Sequence, residues 1–202
     1  FVSDASHELK TPLAGIRLLS DSILQTQDMD AQTVREFVGD IEQESERLAR
    51  ITENLLRLTR LDSGLLPEAQ RVDLSSVVAR VARMLRLVAE EKKVDLSYEV
   101  RREGQTLASE DEIHEIIYNL TENAIKYNHP GGFVKLALAG DEDNCLLTVS
   151  DDGIGIPEED MPRIFDRFYR VDKMRSRAAG GTGLGLSIAA DTARRRGGSI
   201  EV

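Results

Sequence analysis

The stretch Val34–Leu58, VREFVGDIEQESERLARITENLLRL, decides the fold of the first part of the chain. Its apolar side chains recur every three and four residues, which is the spacing of one face of a helix. The first and fourth positions of a seven-residue repeat are held by Val34, Ile41, Leu48, Leu55, Phe37, Ile51 and Leu58, with Glu44 out of pattern. The pattern predicts a long helix with a single apolar seam.

A second seam lies upstream. Its residues, at the same two positions of the repeat, are Val2, Leu9, Ile16, Ile23, Ala5, Pro12 and Leu19. The polar segment from Thr26 to Gln32 is short enough to fold the two helices into an antiparallel hairpin. Because two helices cannot bury two full seams between themselves, we expect a second copy of the chain to complete a dimeric four-helix bundle.

The helical pattern ends near Asp62, where Ser63-Gly64 and then Pro67 supply the residues of a linker. We therefore expect two domains, residues 1–66 and 67–202. In the second domain the sequence predicts helices over about 74–92, 109–127 and 184–196, and strands over about 94–100, 133–139 and 145–150. No βαβ unit is repeated, which favours a mixed α/β sandwich with helices on one face of a sheet. The expected fold class is thus α plus α/β.

The composition, 41% hydrophobic and 31% charged, is that of a globular protein. Lys and Arg total 26 against 36 Asp and Glu, and the resulting net charge of −10 repels nucleic acid and anionic lipid. An anionic ligand would therefore need a local binding site. The apolar runs fall far short of the roughly 20 residues that span a bilayer, so we expect neither nucleic-acid binding nor membrane contact from this part of the protein. The single cysteine, Cys145, is expected to be a small buried hydrophobe.

His7 is the first candidate for chemistry. It lies on the helix face opposite the seam, so its imidazole is expected to be exposed and nucleophilic near neutral pH. Thr11 lies one turn later on the same face, and Pro12 removes the amide that would bond the carbonyl of Glu8, which bends the helix. An exposed histidine is usually just solvated, but a helix-bending proline one turn away is hard to explain by packing.

Two polar motifs follow in the second domain. Asn119, Asn123 and Lys126 share one flank of a predicted helix, and two amides at this spacing offer oxygen ligands to Mg²⁺, although asparagines there are commonly only solvated. Asp151 ends a predicted strand and opens the motif DDGIGIP. A carboxylate there can accept a hydrogen bond from an adenine amino group, and the glycines permit close backbone approach.

A glycine-rich segment, residues 180–186, leads directly into the last predicted helix, whose free amides and positive dipole end suit phosphate. It is not a P-loop, since no Lys-Ser/Thr pair follows the glycines, and it lacks the preceding strand of a dinucleotide fold. Before it lies a cationic stretch that either closes over polyphosphate or is an ordinary charged loop. Its basic residues include Arg170, Lys173, Arg175 and Arg177.

Five segments, in this order, closely resemble the phosphoacceptor, asparagine, first glycine, phenylalanine and second glycine boxes of two-component sensor histidine kinases. They are HELKTP at 7–12, NLTENAIKY at 119–127, DDGIGIP at 151–157, FDRFYR at 165–170 and GTGLGL at 181–186. The resemblance covers nearly the whole chain. It implies a dimerisation and histidine-phosphotransfer bundle followed by an ATP-binding domain with the fold of gyrase-type ATPases.

The resemblance also implies an activity: ATP-dependent autophosphorylation of His7, with Mg²⁺, and phosphotransfer to an aspartate in the receiver domain of a response regulator. It makes Glu8 the acid/base partner of His7 and Thr11 the positioner of water in a reverse phosphatase reaction. It assigns Asn119 and Asn123 to Mg²⁺ and phosphate, and Asp151 to adenine. The further nucleotide-binding residues that it implies are Lys126, Tyr127, Gly153, Gly155, Ile156, Arg170, Gly181, Thr182, Gly183, Leu184, Gly185 and Leu186.

Members of this family usually have an upstream sensor with membrane spans and further strands after the Gly197-Gly198 turn. The chain opens at Phe1 and ends at Ser199–Val202, which looks like a strand just begun. We therefore expect the catalytic core of a membrane-bound bacterial sensor, its cytoplasmic portion, shortened at the C-terminal end. Two other classes of function stay open. One is an ATP-hydrolysing clamp of the gyrase type, which needs a carboxylate where this chain has Asn119, and the other is a non-catalytic dimeric scaffold.

Overall fold

The computed structural model describes residues 2–64, 67–102, 104–140, 144–171 and 181–202. Several predictions fall outside these ranges: the boundary at residue 66, the cationic residues Lys173, Arg175 and Arg177, and the first glycine of the segment at 180. The side chain of Val2 in the first seam is also outside the described part.

The N-terminal part is a hairpin of two helices, α1 (Val2–Gln25) and α2 (Ala31–Asp62), as the heptad pattern predicted. Asp30 caps α2, because its Oδ1 accepts from the amides of Gln32 and Thr33 at 3.0 and 2.9 Å. The two seams pack against each other, but few of their side chains are fully buried. The buried seam residues are Ala5, Pro12, Ile51 and Leu58, whereas Leu9, Ile16, Leu19, Ile41, Leu48 and Leu55 are half-buried.

The second part alternates helices and strands. The elements are β1 (Gln70–Asp73), α3 (Leu74–Lys92), β2 (Asp95–Val100), β3 (Gln105–Ala108), α4 (Glu110–Lys126), β4 (Phe133–Gly140), β5 (Cys145–Asp151), a 3₁₀ turn (Met161–Arg163) and α5 (Gly185–Arg195). Every helix and strand that the sequence predicted for 74–196 is present to within two residues at each end. Strands β1 and β3 were not predicted.

The strands form two small sheets covered by helices. In the larger sheet β4 is central, parallel to β2 and antiparallel to β5. The smaller sheet pairs β1 with β3 in antiparallel register. Apolar side chains from β4, α3 and α4 meet in one core, which includes Val134, Leu136, Val77, Val81, Leu85, Ile117 and Ile125. The predicted layered α/β architecture is therefore confirmed.

A capping box starts α4. The Ser109 hydroxyl accepts from the Glu112 amide at 3.2 Å, and the Ser109 amide donates to Glu112 Oε2 at 2.8 Å. The guanidinium of Arg196, just after α5, donates to the same carboxylate at 2.6 and 2.9 Å and to the carbonyl of Pro67 at 2.8 Å. The end of α5 is thereby fixed to the start of α4.

Helix α5 ends at glycines, as predicted. Gly197 has φ +79°, and the Gly198 amide donates to the Ala193 carbonyl at 2.9 Å. The strand expected to begin at Ser199 is not formed, because within the described residues no neighbouring strand pairs with it. Cys145 is half-buried rather than buried, since it starts an outer strand of its sheet.

Among the helices in the described ranges, none is both long and apolar enough to cross a membrane.

Candidate active site

His7 is exposed on the outer face of α1, as the heptad position predicted. The Thr11 hydroxyl donates to the His7 carbonyl at 3.2 Å, while Pro12 is buried against α2. This bond fixes the hydroxyl one turn from the imidazole and commits its proton, so that the oxygen lone pairs of Thr11 are left to accept from water.

Glu8 turns away from this face. Its Oε2 accepts from Arg47 Nη2 at 3.3 Å across the hairpin, and Arg47 is only 6% exposed. The Arg47 guanidinium also lies 3.6 Å from the Glu44 carboxylate. The role of Arg47 was missed in the sequence; the signal for it is the position of Arg47 beside the seam, where charges commonly pair between packed helices.

The glycine segment lies against the predicted flank of α4. A Cβ atom at Gly181 would lie 2.7 Å from Lys126 Nζ and 3.4 Å from the Tyr127 hydroxyl. A Cβ at Gly185, where α5 begins, would lie 2.7 Å from Asn119 Oδ1. A side chain at either glycine would displace Lys126 or Asn119, so the start of α5 approaches the asparagine flank closely, as expected of a phosphate cradle.

Asn119 presents an oxygen to this cradle. Its Nδ2 donates to the Glu115 carbonyl at 2.9 Å, which directs Oδ1 towards Gly185. Asn123 lies one turn later on the same flank. Amide oxygens are ligands that fit Mg²⁺ when phosphates and water complete the shell. Within the described ranges no group of three or more His, Cys, Asp or Glu side chains is placed to hold a metal ion.

Lys126 is the cation at the centre of the cradle. Burial lowers the pKa of its ammonium to about 8; the positive charges of Arg170, Lys92 and Arg50 act in the same direction, and Glu122 opposes them. Its Nζ also lies 5.5 Å from the centre of the Tyr127 ring. A half-buried ammonium among further cations is an environment that a bound polyanion would stabilise.

The two adjacent aspartates have different environments. Asp151 ends β5, and its Oδ1 accepts from the Gly153 amide at 3.0 Å. Asp152 instead holds the start of β4: its Oδ1 accepts from the Phe133 amide at 2.6 Å, and this bond is the main reason that the pKa of its carboxyl is lowered. Asp152 therefore has a structural role at the start of β4.

The first glycine motif meets the end of α4. The Ile154 amide donates to the Tyr127 carbonyl at 3.1 Å, and a Cβ at Gly153 would lie 2.6 Å from that oxygen. Gly155 adopts φ +70°, and Ile156 after it is exposed. Asp151 and Tyr127 are thus brought to one edge of the site.

The phenylalanine motif is bonded to the second glycine motif. The Phe168 amide donates to the Gly183 carbonyl at 2.9 Å, and both residues have positive φ, +64° and +71°. A Cβ at Gly183 would lie 3.0 Å from Phe168 Cα. This contact carries Arg170 into the neighbourhood of Lys126, where its charge lowers the pKa of the lysine.

Not every predicted residue of the second glycine motif faces the cradle. Thr182 is buried, and its hydroxyl accepts from Asn54 Nδ2 of α2 at 3.3 Å. Leu184 is fully buried in a cluster with Leu58 of α2 and Ile188 of α5, while Leu186 is half-buried. Only the glycine backbone of the motif is directed at the flank of α4, whereas two of its side chains pack against the hairpin.

Two protein-family models match the sequence of the chain. The His Kinase A (phospho-acceptor) domain matches residues 1–64, and the histidine kinase-, DNA gyrase B-, and HSP90-like ATPase matches residues 108–202. The chain belongs to the two-component sensor histidine kinase family. The ATP-binding domain of this kinase core is therefore the part that holds the glycine cradle, and the phosphoacceptor domain is the part that holds His7.

Individual histidine kinases resemble the chain over its whole length. The sensor-like histidine kinase SenX3 of Mycolicibacterium smegmatis is 37% identical over 203 residues, which are 100% of this chain and 53% of that protein. The solved structure of full-length ShkA in complex with AMPPNP has a TM-score of 0.69 at 26% identity and covers 95% of this chain and 40% of that one. Histidine kinase ThkA in complex with response regulator protein TrrA has a TM-score of 0.76 at 21% identity and covers 98% of this chain and 55% of that one. The chain spans about half the length of the curated relatives that match it first.

Proposed function

We propose that the chain transfers the γ-phosphoryl group of ATP to His7 and then passes it to an aspartate of a response regulator. The observation that carries the proposal is the glycine cradle on α4. In it Gly181 meets Lys126 and Gly185 meets Asn119, within a chain that also exposes His7 on its hairpin. ShkA, a relative in fold and sequence, was solved with AMPPNP, a compound of the same class as ATP.

The transfer to histidine is an in-line displacement. A ring nitrogen of His7 donates its lone pair to the γ-phosphorus, the bond between that phosphorus and the bridging oxygen breaks, and ADP leaves with the electron pair. Catalysis rests on positioning and on neutralisation of phosphate charge. The positive charge that neutralises the phosphates comes from Lys126, Arg170 and the first amides of α5. The Asp151 carboxylate accepts a hydrogen bond from the adenine amino group.

Magnesium fits this site through the chemistry of its donors. Asn119 and Asn123 would hold the ion by their amide oxygens, and the bound ion would neutralise charge on the phosphates of ATP. Glu8 would accept the proton that the imidazole loses. In the structure this carboxylate is paired with Arg47, so taking the proton requires its side chain to turn towards His7.

The second step delivers the phosphoryl group to a partner. A carboxylate oxygen of the receiver-domain aspartate attacks the phosphorus, and the bond to the His7 nitrogen breaks. Exposure of His7 on α1 gives a second protein access to it. ThkA, which shares the fold, was solved with a response regulator. The Thr11 hydroxyl, oriented by its bond to the His7 carbonyl, would place a water for the reverse phosphatase reaction.

The active unit we propose is a homodimer. Nine of the thirteen seam residues whose side chains are described stay partly exposed in one chain, and a second hairpin would cover them. Residues 1–66 would form the dimerisation and phosphotransfer domain and residues 67–202 the ATP-binding domain. The whole protein would be a membrane-bound bacterial sensor with this core on the cytoplasmic side, since relatives named sensor kinases are about twice as long.

Labelling with γ-³²P-ATP tests the proposal. We expect the purified chain to take up acid-labile phosphate, and His7→Gln to take up none while it binds ATP with unchanged affinity. His114→Gln is the matched control, because it removes a half-buried histidine of α4 and should leave the label in place. Acid-labile label on His7→Gln, or ATP binding without label on the unmodified chain, would refute the proposal and favour a clamp or a scaffold.

A further inference from the structure

Side chains of helix α2 in the hairpin contact α4 and the glycine motif that lies against it. Arg57 of α2 forms an ion pair with Glu115 of α4. Asn54, one turn earlier on α2, donates to Thr182 of the glycine motif at 3.3 Å. Glu115 lies one turn before Asn119, so these contacts fix the register of α2 against the phosphate end of the site.

The next residue on this face of α2 is Arg50, four residues before Asn54 and seven before Arg57. Arg50 therefore lies one turn beyond the contact between Asn54 and Thr182, and Thr182 is next to Gly181, which approaches Lys126 Nζ. Helix α2 thus places a guanidinium beside the end of α4 where the cradle lies.

The electrostatics agree with this placement. Burial raises the pKa of Tyr118 to about 12 and lowers that of Lys126 to about 8. The positive charge of Arg50 adds a smaller lowering contribution to each, which places its guanidinium near this part of α4. The Arg50 guanidinium pairs with the Glu46 carboxylate of the same helix at 3.8 Å, and a pair between two exposed side chains holds a guanidinium weakly. Arg50 is therefore able to swing to a stronger anion.

Three cations besides Lys126 itself act on its ammonium. They are Arg170, Lys92 and Arg50, and Glu122 is the carboxylate that opposes them. In a chain of net charge −10 this is a local excess of positive charge. Three of the four belong to the ATP-binding part, but Arg50 belongs to the helix that continues the hairpin of His7.

We propose that Arg50 of α2 binds the polyphosphate of the nucleotide, so that the phosphoacceptor hairpin itself completes the ATP site. The inference rests on the proposed function, because it takes the nucleotide to be ATP. A guanidinium suits this task, since it offers two parallel donors to phosphate oxygens. It would bind the distal phosphates, because the contacts of Asn54 with Thr182 and of Arg57 with Glu115 place α2 at the phosphate end rather than at Asp151.

Calorimetric titration of the whole chain with ATP, ADP and adenosine tests this. We expect Arg50→Gln to weaken ATP binding about tenfold, on the scale of a hydrogen bond to a charged group, to weaken ADP binding less and to leave adenosine binding unchanged. Arg50→Lys should recover part of the affinity for ATP. Arg35→Gln is the matched control, since it removes an exposed arginine of the same helix 15 residues away, about 22 Å along the axis.

The pattern across ligands separates phosphate binding from a structural role. Equal losses for ATP and adenosine would show that Arg50 only supports the docked arrangement, and unchanged ATP affinity would show that it does not touch phosphate; either result overturns the inference. The proposed function fails separately, because it is tested by labelling of His7. A chain that labels His7 while Arg50→Gln binds ATP normally refutes this inference alone.

Discussion

The protonation of the Lys126 side chain and the binding of ATP should depend on each other. Burial first, and then the neighbouring cations, lower the pKa of this ammonium to about 8. Near pH 8 about half of the free protein has therefore lost this proton. A bound polyphosphate favours the charged form and raises the pKa, so ATP binding should take up a proton there, and ATP affinity should fall as pH rises through 8.

Calorimetry at pH 8 in buffers of different ionisation enthalpy measures that proton. The binding heat should vary with the buffer for the unmodified chain and stop varying for Lys126→Met, which has no ammonium. Lys92→Met is the control, because Lys92 donates to the Lys126 carbonyl from the end of α3 rather than from the cradle. Buffer-independent heats for the unmodified chain would contradict the expected proton uptake.

The residues of the site were predictable as motifs, but the directions of their side chains were not. Glycines before a helix predict a phosphate cradle, and the exposure of His7 follows from its position opposite the seam. Nothing in the glycine motif says that Leu184 would pack against Leu58 of α2, or that Thr182 would bond to Asn54. Those contacts depend on how two parts of the chain dock, and local sequence does not encode that docking.

At the scale of elements, periodicity and caps were the reliable signals. The two long seams predicted α1 and α2, and the capping box of Ser109 and Glu112 placed the start of α4 within a residue. Strands β1 and β3 were missed because each has four residues, too few for an alternating pattern to stand out. Their partners are also separated by α3 and β2, so no hairpin turn marks the pairing.

A substitution in the seam of α2 tests the proposed dimer. Leu48 belongs to the seam of α2 but is only half-buried in one chain, whereas Ile51 is fully buried. Leu48→Glu should therefore dissociate dimers into monomers in sedimentation velocity, because a second hairpin would bury the carboxylate, while each hairpin stays folded. Ile51→Glu would instead test the hairpin itself.

Leu56→Glu is the matched control for the dimer. It places the same charge on α2 at a residue that is 61% exposed and lies outside the seam, so it should leave the oligomeric state unchanged. If the unmodified chain sediments as a monomer at micromolar concentration, or if Leu48→Glu stays a dimer, the four-helix bundle is wrong.

At the scale of the molecule, the ATP-binding part docks on the end of α2 through one apolar cluster and one charged cluster. Leu58 of α2 packs with Leu184 and Ile188 of α5. Beside them Arg167 donates to Asp62 through both ends of its guanidinium, at 3.1 and 2.9 Å, and also to Asp191 at 3.2 Å. The bond from Arg167 is the main cause of the lowered pKa of Asp62. Since Leu184 belongs to the glycine motif, this motif takes part in the docking.

Asp62→Asn should loosen this docking. The substitution removes the negative charge of the bidentate contact with Arg167 but keeps the shape of the side chain. Because Asp62 is exposed, we expect α2 to stay folded. We expect faster hydrogen exchange of the amides in the last turn of α2 and in the first turns of α5, with the core of β4 unchanged. The control is Asp21→Asn, which breaks an exposed ion pair with Arg17 inside α1 and should leave both regions as they are.

Acid should act like the substitution. Because the pKa of Asp62 is lowered in the folded chain, its contribution to the docking is present above the ordinary value of about 3.9 and is lost as pH falls through the lowered pKa. Identical exchange in Asp62→Asn and the unmodified chain would mean that Leu58 and its apolar neighbours hold the two parts together without the charged cluster.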